Sequence, residues 1–310
     1  LTLFTIAISV MLLMSIERVR IDAKSSFSNT ISGTDLIVGA RTGDIQLLLS
    51  SVFRIGHANN GVSWQSYQYI AKQRGVSWSI PLSLGDSHKG LVVLGTNKDH
   101  FTHYRFGKKQ PLSFANGHEF NHLFDVVLGA DVAKSLGYQL GDKVVIAHGM
   151  GNTSFHNHDD NPFTVVGILQ ATGTPVDKTL HIPLAAIDEI HGGHNHQHEK
   201  ANDHDHDHDH DQHDAVDLIG TPKQITAFLL GFDSPLYTLQ VRRNINQYKD
   251  EALLAIMPGV TLRELWEMLS IVEKILLLFS IVVVIISLLG MLTSLLSTLT
   301  QRRRELAILR

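Results

Sequence analysis

The segment "ILLLFSIVVVIISLLGMLTSLLSTLT", residues Ile275–Thr300, decides the class of fold because no charged residue interrupts it. At about 1.5 Å per residue, a helix of this length reaches roughly 40 Å, which exceeds the hydrocarbon core of a bilayer. A buried helix of a water-soluble core rarely stays uncharged over such a distance. The segment therefore predicts a transmembrane helix.

A second apolar segment, "LTLFTIAISVMLLMSI", occupies residues Leu1–Ile16 and is also uncharged. A signal peptide is the competing interpretation, but no small-residue cleavage site follows in "ERVRIDAKSSF". The first residue is leucine rather than methionine, so we expect a fragment that begins inside its first helix. Residues 1–17 are accordingly predicted to be a truncated first transmembrane helix.

The charges beside the second apolar segment predict the orientation in the membrane. Arg302, Arg303 and Arg304 follow it directly, and basic flanks of membrane helices stay in the cytoplasm. Arg18, Arg20 and Lys24 then lie on the outer side, which opposes this orientation weakly, since long domains are translocated largely regardless of charge. We predict an extracytoplasmic domain at 18–262, a stalk and transmembrane helix at 263–301, and the start of a cytoplasmic helix at 302–310.

The composition limits the chemistry of the chain. The 310 residues are 44% hydrophobic and include no cysteine, which excludes disulfides, thiolate zinc sites and cysteine nucleophiles. Any metal must therefore be held by histidine or carboxylate side chains. The basic residues do not cluster outside the membrane flanks, so we expect no nucleic-acid partner.

Strand and helix patterns alternate between the two apolar segments. "TDLIVGA", "VSWSIPLSLG", "DKVVIAHG" and "PFTVVGILQ" are typical of strands, whereas "GDIQLLLSSVFRI" and "GADVAKSLG" are typical of helices, the latter capped by Gly137. This order predicts a mixed α+β domain attached to two membrane helices.

A histidine- and aspartate-rich segment occupies residues 191–214. Between Asp188 and Asp217 there are ten acidic residues and one lysine, a composition that favours a solvated loop. Neutral imidazole is a good ligand for Zn²⁺, Cu²⁺ or Ni²⁺. The predicted ligands are His191, His194, His196, His198, His204, His206, His208, His210 and His213. A low-complexity insertion without a metal role is the alternative.

A second small group, His148, His156, His158, Asp159 and Asp160, could add metal ligands if the fold brings it near, but a hairpin tip is the simpler interpretation.

The segment "HEFNH", His118–His122, matches the H-E-x-x-H pattern of zinc peptidases. With 19 histidines in the chain, a chance match arises at about the 5% level, and Asn116 and Gly117 just before it favour a turn. We therefore predict a surface turn rather than a catalytic zinc site.

Two longer segments carry a family resemblance. "LGADVAKSLGYQLGD" and "QRRRELAILR", together with "TDLIVGA" and "FTVVGILQATGTPVDKTLHIPL", resemble the MacB and FtsX type of ABC transporter permease, which includes the lipoprotein-releasing permeases. The resemblance implies an outer domain of two subdomains, one inserted into the other, and four membrane helices. The C-terminal pair of helices would be missing from this fragment.

The resemblance also implies a mechanical role in a bacterial inner membrane, without enzymatic activity in this chain. A separate cytoplasmic ATPase subunit would supply the energy, and a second permease copy, identical or related, would complete the complex. The implied coupling element comprises Gln301, Arg302, Arg303, Arg304, Glu305, Leu306, Ile308 and Leu309. A periplasmic or lipoprotein partner and a link to zinc are further expectations. The alternative is a two-span receptor that senses metal.

Overall fold

The computed structural model describes residues 31–56, 60–148, 162–192 and 218–308, together with single positions between 7 and 30. Two compact units are present. Residues Phe27–Leu262 form a mixed α+β unit, and the second unit comprises residues from Leu1–Ser26 and Arg263–Arg310. In the second unit, the described positions of both segments are helical. The predicted mixed α+β fold is confirmed.

The α+β unit contains fifteen described strands and six short helices, and a seventh, long helix leaves it. The strands are β1 (Leu36–Ala40), β2 (Val62–Ser63), β3 (Val76–His88), β4 (Leu91–Thr96), β5 (Arg105–Phe106), β6 (Gln110–Pro111), β7 (Phe114–Gly117), β8 (Asp125–Leu128), β9 (Lys143–Val144), β10 (Ala147–His148), β11 (Phe163–Leu169), β12 (Thr179–Pro183), β13 (Gln224–Ile225), β14 (Ala227–Phe232) and β15 (Leu253–Ile256). The helices are α1 (Asp44–Ser51), α2 (Trp64–Ala71), α3 (Asp99–His103), α4 (Ala130–Leu136), α5 (Leu184–Gly192), α6 (Pro235–Asn246) and α7 (Pro258–Ile308).

Strand β3 joins the two halves of an eleven-stranded sheet, whose main order is β15-β1-β14-β3-β4-β12-β8-β11-β7. Its first half pairs with β14 from Val76 to Leu82, and its second half pairs with β4 from Ser83 to His88. The strands β4 to β13 are therefore inserted in the sequence between β3 and β14, which pair with each other.

The sheet is buried on both faces, because the side chains of its central strands alternate between two hydrophobic clusters. In β1, Leu36 and Val38 pack with Phe228 of β14, whereas Ile37 belongs to a second cluster with Leu48 of α1. A third cluster, around Val126, Phe163 and Leu180, lies at β8, β11 and β12, in the half of the sheet whose strands lie between β3 and β14 in the sequence. Apolar residues on both faces of β1 explain why "TDLIVGA" contains an uninterrupted apolar run.

Helix α1 is shorter than the sequence predicted. The pattern "GDIQLLLSSVFRI" predicted a helix to Ile55, but the helix ends at Ser51. The hydroxyl groups of Ser50 and Ser51 both donate to the carbonyl of Leu47, at 3.3 and 2.5 Å. They thus compete with the backbone N–H groups of the helix for this acceptor. Arg54 then adopts a positive φ of 59°, which a continuing helix does not allow.

The segment "DKVVIAHG" is not one strand, as predicted, but two short ones. Strand β9 pairs with β11, and β10 pairs with β3. The chain changes partner between Val144 and Ala147, so a single ladder cannot form. The neighbouring prediction is confirmed, since α4 ends at Gly137, which has the left-handed φ of 71° expected of a glycine cap.

One residue, Met257, separates β15 from α7, and α7 is 51 residues long. Thr261 is buried and Leu262 packs against the cluster that contains Ile37, so the first turn of α7 belongs to the α+β unit. From Arg263 the same helix belongs to the second unit. No break in secondary structure separates the two parts of α7.

Candidate functional site

The apolar part of α7 is the first candidate for a functional element. Among the described residues, the span Pro258–Ser297 is the one helix that is long and apolar enough to cross a membrane, by length and composition. Its most apolar window has a mean hydropathy of 3.1 and is not buried in the structure. Several large side chains on this helix, among them Leu278 and Ile286, are more than half exposed. Such a surface requires an apolar environment.

The predicted coupling residues lie at the end of the same helix. Residues 301–308, which include Arg302, Arg303 and Arg304, continue α7 without interruption, whereas Leu309 falls outside the described residues. The predicted first membrane helix is described only at isolated positions. Val10, Met11 and Met14 are helical there, with exposed side chains.

Most of the predicted metal ligands lie outside the described residues. His191 is in the last turn of α5, and the remaining eight histidines of the loop are not described. His148 of the second group lies in β10, and the rest of that group is not described either. Within the described ranges, no group of three or more His, Asp or Glu side chains is placed to hold a metal ion.

The segment His118–His122 is a loop between β7 and β8 rather than a helix. Phe120 anchors it with a fully buried ring, and the carboxylate of Asp125 accepts hydrogen bonds from the backbone of Asn121 and His122, both at 2.8 Å. Glu119 forms an ion pair with Lys98 at 3.3 Å. The zinc peptidase arrangement needs both histidines on one helical face, so this segment lacks its geometry.

A groove of about 500 Å³ lies between α2 and α6. Its lining residues are Tyr69, Gln73, Arg74, Tyr237, Gln240, Val241, Asn244 and Tyr248. The rings of Tyr69 and Tyr248 stack at 5.6 Å, and Tyr237 occupies the space where a side chain on Gly75 would lie. The groove thus presents amide, phenol and guanidinium groups beside two exposed leucines of α6, Leu236 and Leu239. The sequence patterns pointed to none of these residues.

A pair of buried histidines occupies the packing between α3 and β12. His100 of α3 and His181 of β12 are both 0% exposed, and their rings stack at 5.1 Å between centroids with an angle of 29°. His181 Nδ1 donates to the carbonyl of Val127 at 3.3 Å. His181 Nε2 and both ring nitrogens of His100 have no hydrogen-bond partner within the described structure. Buried imidazoles with so few partners are rare, because polar atoms in a protein interior are normally hydrogen-bonded.

Burial keeps both imidazoles neutral. Burial is the main cause that lowers the pKa of His181 to about 3, and the nearby Arg54 guanidinium lowers it further. Burial also lowers the pKa of His100 well below its ordinary value, with smaller contributions from His181 and Arg54. Arg54 itself has a pKa lowered to about 10 by burial and stays charged at neutral pH. A protonated ring of either histidine would therefore be repelled by the Arg54 guanidinium.

The sequence around His181 contains a signal of burial. His181 lies between Leu180 and Ile182 in "TLHIP", and every residue of β12 is buried. A histidine within a continuous apolar run is typical of a central strand with both faces covered. His100 gave no such signal, since polar residues precede it in "TNKDH".

Comparisons with known proteins identify the family. The family model of the MacB-like periplasmic core domain matches residues 1–206. No curated protein matches the chain. The periplasmic region of MacB from Actinobacillus actinomycetemcomitans is similar at 10% identity and a TM-score of 0.47, covering 76% of this chain and 94% of that one. The extracellular domain of the noncanonic ABC-type transporter YknZ from Gram-positive bacteria is similar at 11% identity and a TM-score of 0.40, covering 72% and 98%.

The family match covers the first apolar segment, the strand "TDLIVGA" and the segment "LGADVAKSLGYQLGD", and the last two of these carried the predicted resemblance. It extends over both halves of the sheet up to β12 and α5. The resemblance to MacB-type permeases is thereby confirmed, and the chain belongs to the family of MacB-like periplasmic core domains.

Proposed function

We propose that the chain is the permease subunit of an ATP-driven transporter of the MacB and FtsX type. Residues Phe27–Leu262 form its periplasmic domain, and the apolar segments lie in the bacterial inner membrane as part of a multi-pass protein. The role of the chain is to transmit motion from a cytoplasmic ATPase subunit to the periplasmic domain. A second permease copy, identical or related, completes the complex.

One observation carries this proposal. Helix α7 contributes its first turn to the α+β unit, continues through the apolar segment, and ends in the arginine-rich residues without a break. A continuous helix moves as a stiff rod, since breaking it requires the loss of several backbone hydrogen bonds. This continuity supports the proposal that a displacement at Arg302–Arg304 reaches Thr261 and Leu262, whose side chains pack in the folded unit.

The chain depends on a partner for energy. No G-x-x-x-x-G-K-[ST] phosphate loop occurs among these 310 residues, and we propose that a separate subunit hydrolyses ATP. The basic end of α7 is the docking element for that subunit, because clustered arginines suit a surface that carries carboxylates. A periplasmic protein or lipoprotein is the expected third component.

The test uses the full-length protein reconstituted in nanodiscs with the ATPase subunit encoded for the same complex. Replacement of Arg302, Arg303 and Arg304 by glutamate is expected to abolish association of the two subunits and the stimulation of ATP hydrolysis. The matched control is Arg263→Glu, an exposed arginine of the same helix that precedes the apolar segment. Equal ATPase stimulation by the triple variant and the unaltered protein would contradict the proposal.

We also propose that the loop 191–214 binds a transition metal, with Zn²⁺ as the first candidate. The donor set supports this, since nine histidines and the interleaved aspartates supply ligands without any cysteine. The metal is an addition to the permease and is not required for its mechanical role. The metal would neutralise the acidic loop and cross-link it, and a metal-binding lipoprotein is a fitting partner for such a segment.

A further inference from the structure

Helix α3 contacts β12 at the ring of His181 and packs mainly on β3 and β6. Its residue His100 stacks on His181, and its residue Phe101 makes an edge contact with the same ring at 6.0 Å. Tyr104 directly follows α3, and the centroid of its ring lies 5.1 Å from that of His100. Separation of α3 from β12 would therefore expose both imidazoles to water.

The residues that follow α3 hold the end of the N-terminal helical segment. We call this set of contacts the clasp. It consists of four hydrogen bonds: Tyr104 Oη donates to the carbonyl of Thr30, Gly107 N to the carbonyl of Asn29 at 2.7 Å, Ser32 N to the carbonyl of Arg105 at 2.9 Å, and Lys109 N to Ser32 Oγ at 3.2 Å. The clasp fixes the point at which the chain enters the α+β unit, beside the buried histidines.

We propose that His100 and His181 form a proton-binding switch: when the imidazoles take up protons, α3 separates from β12 and the clasp opens. In the closed state, the N–H groups formed by the added protons have no hydrogen-bond acceptor among the described residues. Only one of the four ring nitrogens is hydrogen-bonded within the described structure, and that one already carries its proton for the Val127 carbonyl. Two imidazolium ions with stacked rings repel each other, most strongly in a buried site.

The charged groups around the pair do not offset this cost. Arg54, from the segment after α1, adds a positive charge near both rings. Asp177, in the turn before β12, accepts hydrogen bonds from Thr172 and Gly173, and Asp125 at the start of β8 accepts from Asn121 and His122.

Asp99 of α3 accepts from Asn97 and lies 4.0 Å from His103. Tyr104 stays a neutral phenol, because burial raises its pKa. At the start of α3, Lys98 pairs with Glu119.

The direction of the pH effect follows from linkage. An exposed imidazole titrates near 6.5, and the buried His181 has a pKa of about 3, so the open state binds more protons than the closed state between these values. Closure is fully favoured above about pH 6.5 and is weakened as the pH falls below it. At pH 5 the protonation of His181 alone favours opening by about 30-fold relative to pH 8. His100 adds to this effect in the same direction.

Hydrogen exchange of the clasp amides tests the proposal in the full chain in nanodiscs. The backbone amides of Ser32, Gly107 and Lys109 are the clasp donors. After correction for intrinsic exchange rates, their protection is expected to fall by about 30-fold or more between pH 7.5 and pH 5.0. In the double variant His100→Phe, His181→Leu this pH dependence is expected to disappear. An equal loss of protection in the double variant, or none in the unaltered protein, would overturn the proposal.

The matched control is His103→Phe, on the same helix. His103 is partly exposed and stacks on Trp78 at 5.5 Å, so a phenylalanine retains the contact, and the pH dependence is expected to persist. If the double variant does not fold, imidazole NMR of the unaltered protein decides the question. Two imidazole signals are expected to stay neutral down to pH 5, and titration of all 19 histidines near pH 6.5 would overturn the proposal. Neither measurement needs the ATPase subunit, so failure here leaves the proposed function in place.

Discussion

Trp78 occupies the space beside its cross-strand partner Gly231, where a Cβ atom would lie 2.1 Å from Cε2 of the indole. On α3, the indole stacks on the ring of His103 at 5.5 Å and an angle of 10°. The absence of a side chain at Gly231 thus lets Trp78 join β14, β3 and α3.

Replacement of Gly231 by alanine is expected to lower the free energy of unfolding by about 1–3 kcal/mol, because the indole must leave its position. Urea denaturation monitored by tryptophan fluorescence measures the change. The control is Gly259→Ala in the first turn of α7, where the added methyl group meets no atom within 4 Å. This control should be neutral or slightly stabilising, since alanine favours the helix. Equal stability of Gly231→Ala and the unaltered protein would disprove the packing argument.

Asp177 organises the turn that leads into β12. Its carboxylate accepts from the backbone N–H of Thr172 at 2.9 Å, from that of Gly173 at 2.7 Å, and from the Thr172 hydroxyl at 2.8 Å. Asp177→Asn replaces one acceptor oxygen by an NH₂ group facing these donors, so a loss of about 1–3 kcal/mol is expected in the same denaturation assay.

Asp142→Asn is the matched control for Asp177→Asn. Asp142 accepts from Gln139 N at 2.8 Å in a partly exposed turn, where water replaces a lost contact, and a loss below about 1 kcal/mol is expected. Equal losses in the two variants would show that the buried turn has no special role.

Zinc binding is expected to depend on the loop 191–214 and on pH. Titration calorimetry at pH 7.5 should detect Zn²⁺ binding by the full chain, and the deletion of residues 191–214 should remove most of it. Affinity should fall steeply towards pH 5, because protons compete for imidazoles that titrate near 6.5. A variant with the aspartates of the loop changed to asparagine retains the nine histidines and should still bind. Binding that survives the deletion, or that does not change with pH, contradicts the assignment.

Patterns of apolar residues were sufficient to predict strands such as β1, β3 and β11 and the apolar part of α7. The strand β1 followed from "TDLIVGA", and the end of α4 followed from Gly137, because a local backbone requirement decides each of these features. The end of α1 did not follow, because it depends on which acceptor the Ser50 and Ser51 hydroxyls choose. Similarly, the division of "DKVVIAHG" depends on partner strands that are distant in the sequence.

The candidate sites were less predictable than the fold. Composition alone indicated the histidine-rich segment proposed to bind metal and the basic end of α7. The histidine pair required knowledge that α3 packs on β12, although His100 and His181 are 81 positions apart. No local pattern encodes a contact of that kind. The loop at His118–His122 shows the converse case, since a sequence match to a zinc motif lacks the helix that gives the motif its meaning.

The topology of the chain in the membrane is the decisive measurement, and the absence of cysteine from these 310 residues makes it simple. Two single variants, Asn202→Cys in the histidine-rich loop and Ala307→Cys beyond the arginines, are treated in spheroplasts with a maleimide that does not cross membranes. The cysteine at 202 is expected to be labelled at once, and the cysteine at 307 only after the membrane is opened. Labelling of both positions in intact spheroplasts, or protection of both, would contradict a periplasmic domain joined by α7 to a cytoplasmic ATPase.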